Sequence, residues 1–73
     1  MKDDQTMRHG IEAALKAMAH MLDQAAKVAH EAHGYICRNE QNLAIGTVVG
    51  LDDTLERAAT LLRAVLAMHR FRP

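Results

Sequence analysis

Apolar residues recur along the first half of the chain with spacings that alternate between four and three. The positions that follow this pattern are Met7, Ile11, Ala14, Met18, Met21, Ala25, Val28 and Ala32. A heptad repeat of this kind predicts a helix that packs along one seam against another helix. Leu15, Leu22 and Ala29 lie beside the seam and widen it. The apolar stripe is therefore broader than one partner helix can cover.

The first helix is predicted to run from about residue 5 to about residue 33. Gly34 then follows a long run of helix-forming residues, and a glycine at such a position commonly ends a helix in the left-handed conformation. We therefore expect a turn over about 34–38. Asn39 is a favourable N-cap for a second helix over about 39–70.

The second half of the chain repeats the same alternation of four and three without a change of phase. Its seam positions are Ala44, Val48, Leu51, Leu55, Ala58, Leu62 and Val65. This continuity favours one unbroken helix over the alternative of a loop near 46–52. We interpret Gly46 and Gly50 as residues that let the two helices approach closely. A fold at about residue 36 predicts three opposed pairs: Ala25 with Val48, Met18 with Leu55, and Ile11 with Leu62.

The chain has more large apolar residues than one hairpin can bury. The residues expected to find no place inside it are Leu15, Leu22, Leu61, Leu66 and Met68. Together with Leu62 of the seam, they form the predicted oligomer interface. Contiguous exposed apolar residues normally mark an association surface, and a chain of 73 residues has only a small core of its own. We therefore predict an all-α fold: one domain over 1–73, a two-helix antiparallel hairpin that dimerises into a four-helix bundle or forms a larger symmetric oligomer.

Composition and charge narrow the possible partners. Nine basic and nine acidic residues balance, which argues against sequence-independent binding to nucleic acid. No apolar run is long enough to span a bilayer, and the charged first residues do not resemble a signal peptide. The single cysteine, Cys37, cannot form an intrachain disulfide and fits a reducing compartment. We expect a cytoplasmic protein that does not act at a membrane.

His30, His33 and Cys37 are the candidates for a metal site. Their i, i+3, i+7 spacing would place three ligands suited to zinc or copper on one side of a helix that continued past Gly34. The glycine interrupts them, however, and no fourth ligand has a matching spacing. No metal and no other cofactor is therefore expected. Because no nucleophile has both a base and an orienting acid, the chain is not expected to be an enzyme.

Arg63 and Arg70 lie towards the end of the second helix, where cations interact favourably with the helix dipole. The alternative interpretation is an anion site, in which arginines from two chains of a dimer converge on a phosphate.

Two resemblances suggest functions. The segment 38–45 (RNEQNLAI) resembles the Arg-Glu-x-x-Leu-Ala-Leu start of the second helix in the helical-hairpin anti-defence proteins of phages, and 11–22 is similar to their first helix. These proteins sequester cyclic nucleotide signals, so the resemblance implies that Arg38 contacts a phosphate. The hairpin architecture is also similar to that of the plasmid regulator Rop, which implies an RNA-binding or DNA-binding regulator.

The predicted function is that of a small, non-enzymatic, homo-oligomeric binding or regulatory protein of phage or bacterial accessory type. It would sequester an anionic ligand or inhibit a host protein. The alternatives are a Rop-like regulator that binds nucleic acid and a structural subunit of a larger assembly.

Overall fold

The structure, a computed structural model, describes residues 2–70, with side chains described for residues 5–70. Three helices follow one another: α1 (Lys2–Cys37), α2 (Gln41–Val48) and α3 (Leu51–Arg70). Both α2 and α3 pack against α1, so the chain is a helical hairpin with one long arm and one bent arm. The predicted all-α hairpin is confirmed, and residues 2–70 contain no strand. None of these three helices combines the length and apolarity needed to cross a bilayer.

The core between the two arms is thin. Among residues 5–70, the buried apolar side chains are those of Ala25, Ala32, Ala44 and Ala58. The remaining seam positions of α1 are half-buried, which confirms the predicted seam of this helix. Because only alanines are fully enclosed, the larger side chains contact the opposite arm with one side and leave the other side exposed.

α1 is one turn longer than predicted. It continues through Gly34 to Cys37, so the predictions of a helix end near residue 33 and of a turn over 34–38 are wrong. No glycine among the described residues has a positive φ, whereas Asn39 has a φ of 62°. Asparagine takes the left-handed role that was assigned to glycine, because its short polar side chain tolerates this conformation better than most residues do.

Two backbone hydrogen bonds close the turn. The N–H of Asn39 donates to the carbonyl of Ile36 (3.0 Å), and the N–H of Glu40 donates to the carbonyl of Tyr35 (2.9 Å). This is the bond pattern of a Schellman motif, in which the left-handed residue directly follows the helix cap. Asn39 therefore ends α1 and is not the N-cap of the next helix as predicted. Glu40 occupies the N-cap position of α2 and makes no capping hydrogen bond with its side chain.

The second arm is interrupted at Val49 and Gly50, which form a turn between α2 and α3. The prediction of one unbroken helix over 39–70 is therefore wrong, although the interruption is shorter than the alternative loop over 46–52. Low helix propensity explains its position, because two glycines four residues apart flank a β-branched run. A Cβ atom added to Gly46 or Gly50 would meet nothing within 4 Å. Neither glycine is needed for a close approach of helices, which corrects their interpretation as packing residues.

The seam of α3 differs from the predicted one at two positions. Leu55 and Leu62 are 48% and 45% exposed, and the half-buried Thr54 and Leu61 face α1 in their place. At each of these positions the sequence has two adjacent residues that could face α1. At the first, the more apolar residue, Leu55, was predicted, whereas Thr54 faces α1.

The register of the hairpin follows from its turn over residues 38–40. A Cβ atom on Gly10 would lie 3.4 Å from the Sδ of Met68, so these two residues are opposed. Ala25, Leu51 and Thr54 line a cavity of about 170 Å³ between α1 and the bend. The pairing predicted from a fold at residue 36 is therefore wrong by about one helical turn.

Candidate association surface

Large apolar side chains are exposed along one side of α1. Leu15, Leu22 and Ile36 have exposed fractions of 42%, 43% and 44%. Each follows by one residue a half-buried side chain that faces the second arm. One residue corresponds to a rotation of about 100° around a helix, so the three side chains lie beside the seam and on the same side of it.

The second arm has the same arrangement. Ile45, Leu55, Leu62 and Leu66 are exposed, and each follows by one residue a buried or half-buried side chain that faces α1. Their exposed fractions range from 42% for Leu66 to 57% for Ile45.

The two sets lie on the same side of the hairpin. The two arms run antiparallel, so, seen from one end of the rod, the chain of one arm runs away from the viewer and that of the other runs towards the viewer. Right-handed helices seen in this way wind clockwise in the first arm and anticlockwise in the second. The same step of one residue from the shared seam therefore turns both arms towards one side. We call this side the apolar face and define it by seven residues: Leu15, Leu22, Ile36, Ile45, Leu55, Leu62 and Leu66.

The opposite side of the hairpin is polar. The positions one residue before the seam carry polar or small side chains apart from Leu43, and the polar ones include His20, Gln24, Lys27, Glu31, Asp53, Arg57 and Thr60. Arg57 and Asp53 form an ion pair there, with 3.1 Å between Nη2 and Oδ2. Seven of the nine exposed large apolar side chains among residues 5–70 thus lie on one side of the rod, whereas Leu43 lies towards the polar side and Val49 lies in the turn between α2 and α3.

Of the six predicted interface residues, four lie on the apolar face and two do not. Leu61 and Met68 are half-buried, and Met68 lies opposite Gly10 of α1. One hairpin therefore covers part of both side chains, and their place in an interface stays a prediction. Three members of the face were not among the predicted interface residues. Leu55 was assigned to the seam, whereas Ile36 and Ile45 lay outside the predicted heptads. Each of these three residues directly follows a residue that faces the other arm, and this spacing is the feature of the sequence that could have identified them.

The chain exposes more surface than a compact protein of its mass. A compact monomer of 8.1 kDa is expected to expose about 4,500 Å², from the scaling of surface with mass. The hairpin exposes 5898 Å². The excess of roughly 1,400 Å² per chain is in the range that one subunit buries in a permanent dimer.

Arg38, the residue implied as a phosphate contact, lies at the turn. Its guanidinium carbon is 5.1 Å from the centroid of the Tyr35 ring, a distance typical of a cation–π contact. Its Nε lies 3.6 Å from an Oε of Glu40. The neighbouring carboxylate offsets part of the positive charge that a phosphate would require.

Arg63 and Arg70 lie on α3, far from Arg38. An Nη of Arg63 lies 3.2 Å from an Oε of Glu56 and 3.4 Å from the Oγ1 of Thr60. Arg70 is exposed at the open end of a rod that is 57 Å long, and Arg38 lies at its turn end. One chain therefore does not bring the three arginines together.

The three metal candidates do not form a complete site. His33 Nε2 and Cys37 Sγ are 3.6 Å apart on the exposed surface, because α1 continues through both residues. His30 is exposed as well. Within the part of the chain that the structure describes, no group of three or more histidine, cysteine or acidic side chains is positioned to hold a metal ion.

Comparison of the chain with protein-family models, with curated proteins and with solved structures finds no match. The geometry of the apolar face therefore carries the functional argument.

Proposed function

We propose that this chain is a non-enzymatic binding or regulatory protein whose working form is an assembly of copies of itself, joined through the apolar face. The observation that carries the proposal is that seven of the nine exposed large apolar side chains that the structure describes lie on one side of the hairpin. A surface of this kind on a small protein marks an association site.

The energetics of the hairpin support the same proposal. Covering the exposed half of a leucine side chain contributes about 1 kcal/mol. Seven such residues on each of two chains would contribute about as much as the whole stability of a small domain, which is roughly 5–15 kcal/mol. The core inside one hairpin encloses only alanines, so folding and assembly are expected to occur together.

A non-enzymatic role is supported by the exposure of the reactive side chains. Catalytic groups are commonly tuned by burial or by a close charged partner. His33 and Cys37 bring a base and a thiol within 3.6 Å of each other, and both side chains lie on the open surface.

For the molecule that the assembly binds, we propose an anionic ligand, because Arg63 and Arg70 are exposed on α3 and Arg38 is exposed at the turn. Binding of a ligand to the folded state raises the melting temperature by mass action. A rise with a cyclic dinucleotide supports this proposal, whereas a rise only with a short RNA duplex would favour the Rop-like alternative. A response to neither would favour a host-protein partner or a structural subunit.

The assembly is tested with a pair of leucine substitutions. Leu66→Glu places a charge in the apolar face, and we expect at least about a hundredfold weaker association because the charge must be desolvated. Helical circular dichroism should fall with it.

Leu43 is the matched control: it is 53% exposed but precedes the buried Ala44 by one residue and so lies towards the polar side. Leu43→Glu should leave the molar mass unchanged in light scattering. Equal masses and equal helicity for the two variants would refute the proposal.

A further inference from the structure

We infer that a second copy of this chain covers the apolar face in a two-fold arrangement, with the two hairpin turns at opposite ends and the axis passing near Ala19 and Ala59. This inference rests on the proposed function and adds to it the orientation and the register of the two chains.

The first observation is a symmetric pattern on α1. Leu15 and Leu22 lie on the apolar face, and the exposed Ala19 lies between them on the same side. Lys16 and Asp23 each follow one of these leucines and so lie at the outer edge of the face. Read from the centre outwards, the pattern is a small residue, then a leucine on each side, then two edge residues of opposite charge.

α3 repeats this pattern with the charges reversed. Leu55 and Leu62 lie on the apolar face on either side of Ala59, and Glu56 and Arg63 follow the leucines at the edge. Within its own chain, Arg63 reaches along this edge to Glu56, seven residues away, with 3.2 Å between the charged groups. Side chains at the edge are therefore long enough to pair over about two helical turns.

The centres of the two patterns lie at the same height along the rod. Gly10 is opposed to Met68, and Ala25 lies opposite the start of α3. Interpolation between these two points places Ala19 level with Ala59. A single axis that crosses both arms therefore passes through both centres. Because Ala19 is near the middle of α1, two rods related by this axis overlap along almost their whole length.

Rotation about this axis opposes each arm to the same arm of the second copy. Leu15 then meets Leu22 of the second copy, and Lys16 meets Asp23 of the second copy. On the other arm, Leu55 meets Leu62 of the second copy and Glu56 meets Arg63 of the second copy. Leu66 then lies level with Asp52 of the second copy, which follows the half-buried Leu51 by one residue. The alanines at the centre allow the helices to approach closely, towards the lower end of the usual separation of about 8–10 Å.

The alternative two-fold arrangement, with both turns at the same end, opposes α1 to α3 of the second copy. At the heights given above, Lys16 would then meet Arg63, and Asp23 would meet Glu56. Like charges opposed across an interface destabilise it, whereas opposite charges fix the orientation. The pattern of edge charges thus favours turns at opposite ends.

Cys37 reports the orientation directly, because this exposed residue lies at the turn end of α1. The wild-type chain is labelled there with a nitroxide, and the distance between the two labels is measured by double electron–electron resonance. With the axis near Ala19, the labels are separated by twice the helix length from Ala19 to Cys37, on the order of 50 Å. A separation below about 30 Å would place the turns together and overturn this inference while leaving the proposed function intact. A monomeric mass with no intermolecular distance would overturn both.

A charge exchange tests the register. Lys16→Asp should weaken dimerisation by about tenfold, since both symmetry-related pairs become repulsive, and the further change Asp23→Lys should restore the affinity. Lys27→Asp makes the same change of charge on the polar side and should have little effect. If Lys16→Asp behaves like Lys27→Asp, or if the double variant is as weak as the single one, the proposed register is wrong.

Discussion

At the scale of single residues, the turn determines which side chains of the two arms meet. Asn39 adopts the left-handed conformation, and the bonds from its own N–H and from that of Glu40 close the end of α1. Next to it, Arg38 lies over the ring of Tyr35. The turn thus combines a backbone motif with a local side-chain contact, and it fixes the opposition of Gly10 to Met68 near the other end of the rod.

The left-handed backbone of Asn39 leads to a test by substitution. Asn39→Gly should keep or raise the free energy of unfolding, because glycine adopts a φ of 62° without strain. Asn39→Val should lower it by about 1–2 kcal/mol, since a β-branched side chain is strained there. Urea unfolding at one fixed protein concentration measures both changes. Equal stabilities for the glycine and valine variants would contradict the assignment of this residue to the turn.

The sequence contains two residues that suit a left-handed position near the turn, Gly34 and Asn39. The local rule favoured the glycine. The structure places Gly34 inside α1 instead, because Tyr35, which follows it, is still half-buried in the hairpin. Tertiary contacts of this kind override a local preference, and the sequence pattern alone does not contain them.

At the scale of the helices, α1 was predictable and α3 only in part. The seam of α1 was predicted correctly, because its spacing of four and three is kept over eight positions, although Leu15 and Leu22 directly follow two of them. In α3 the pairs Thr54–Leu55 and Leu61–Leu62 each offer two candidates for one inward position. Hydrophobicity selects the leucine of the first pair, but the register with α1 selects the threonine. The leucine is then left for the apolar face.

The bend between α2 and α3 can be probed through the glycine of α2. Gly46 lies in a helix, and a Cβ atom there would meet nothing within 4 Å. Gly46→Ala should therefore stabilise the protein by about 0.5–1 kcal/mol, because alanine loses less conformational entropy in a helix. Thermal unfolding followed by circular dichroism measures the change. A lower melting temperature would show that this position needs a glycine for a contact with another molecule.

At the scale of the whole molecule, the hairpin is a rod of 57 × 14 × 12 Å with one apolar side. The sequence predicted that apolar residues exceed what one hairpin can bury, and the structure shows where the excess lies. The side and the height of the face were not predictable, because they depend on the register that the turn sets. The candidate arginines are spread along the rod, because Arg38 lies at the turn and Arg70 at the open end. The function proposed for this chain therefore depends on assembly more than on any single side chain.

Sedimentation equilibrium of the wild-type chain over a range of concentrations, with melting curves on the same samples, tests the central claim most directly. At micromolar concentration we predict a mass of two chains, each of 8.1 kDa, and a melting temperature that rises with protein concentration because folding and association are coupled. A fully helical species with the mass of one chain, and a melting temperature that does not change on dilution, would contradict the account.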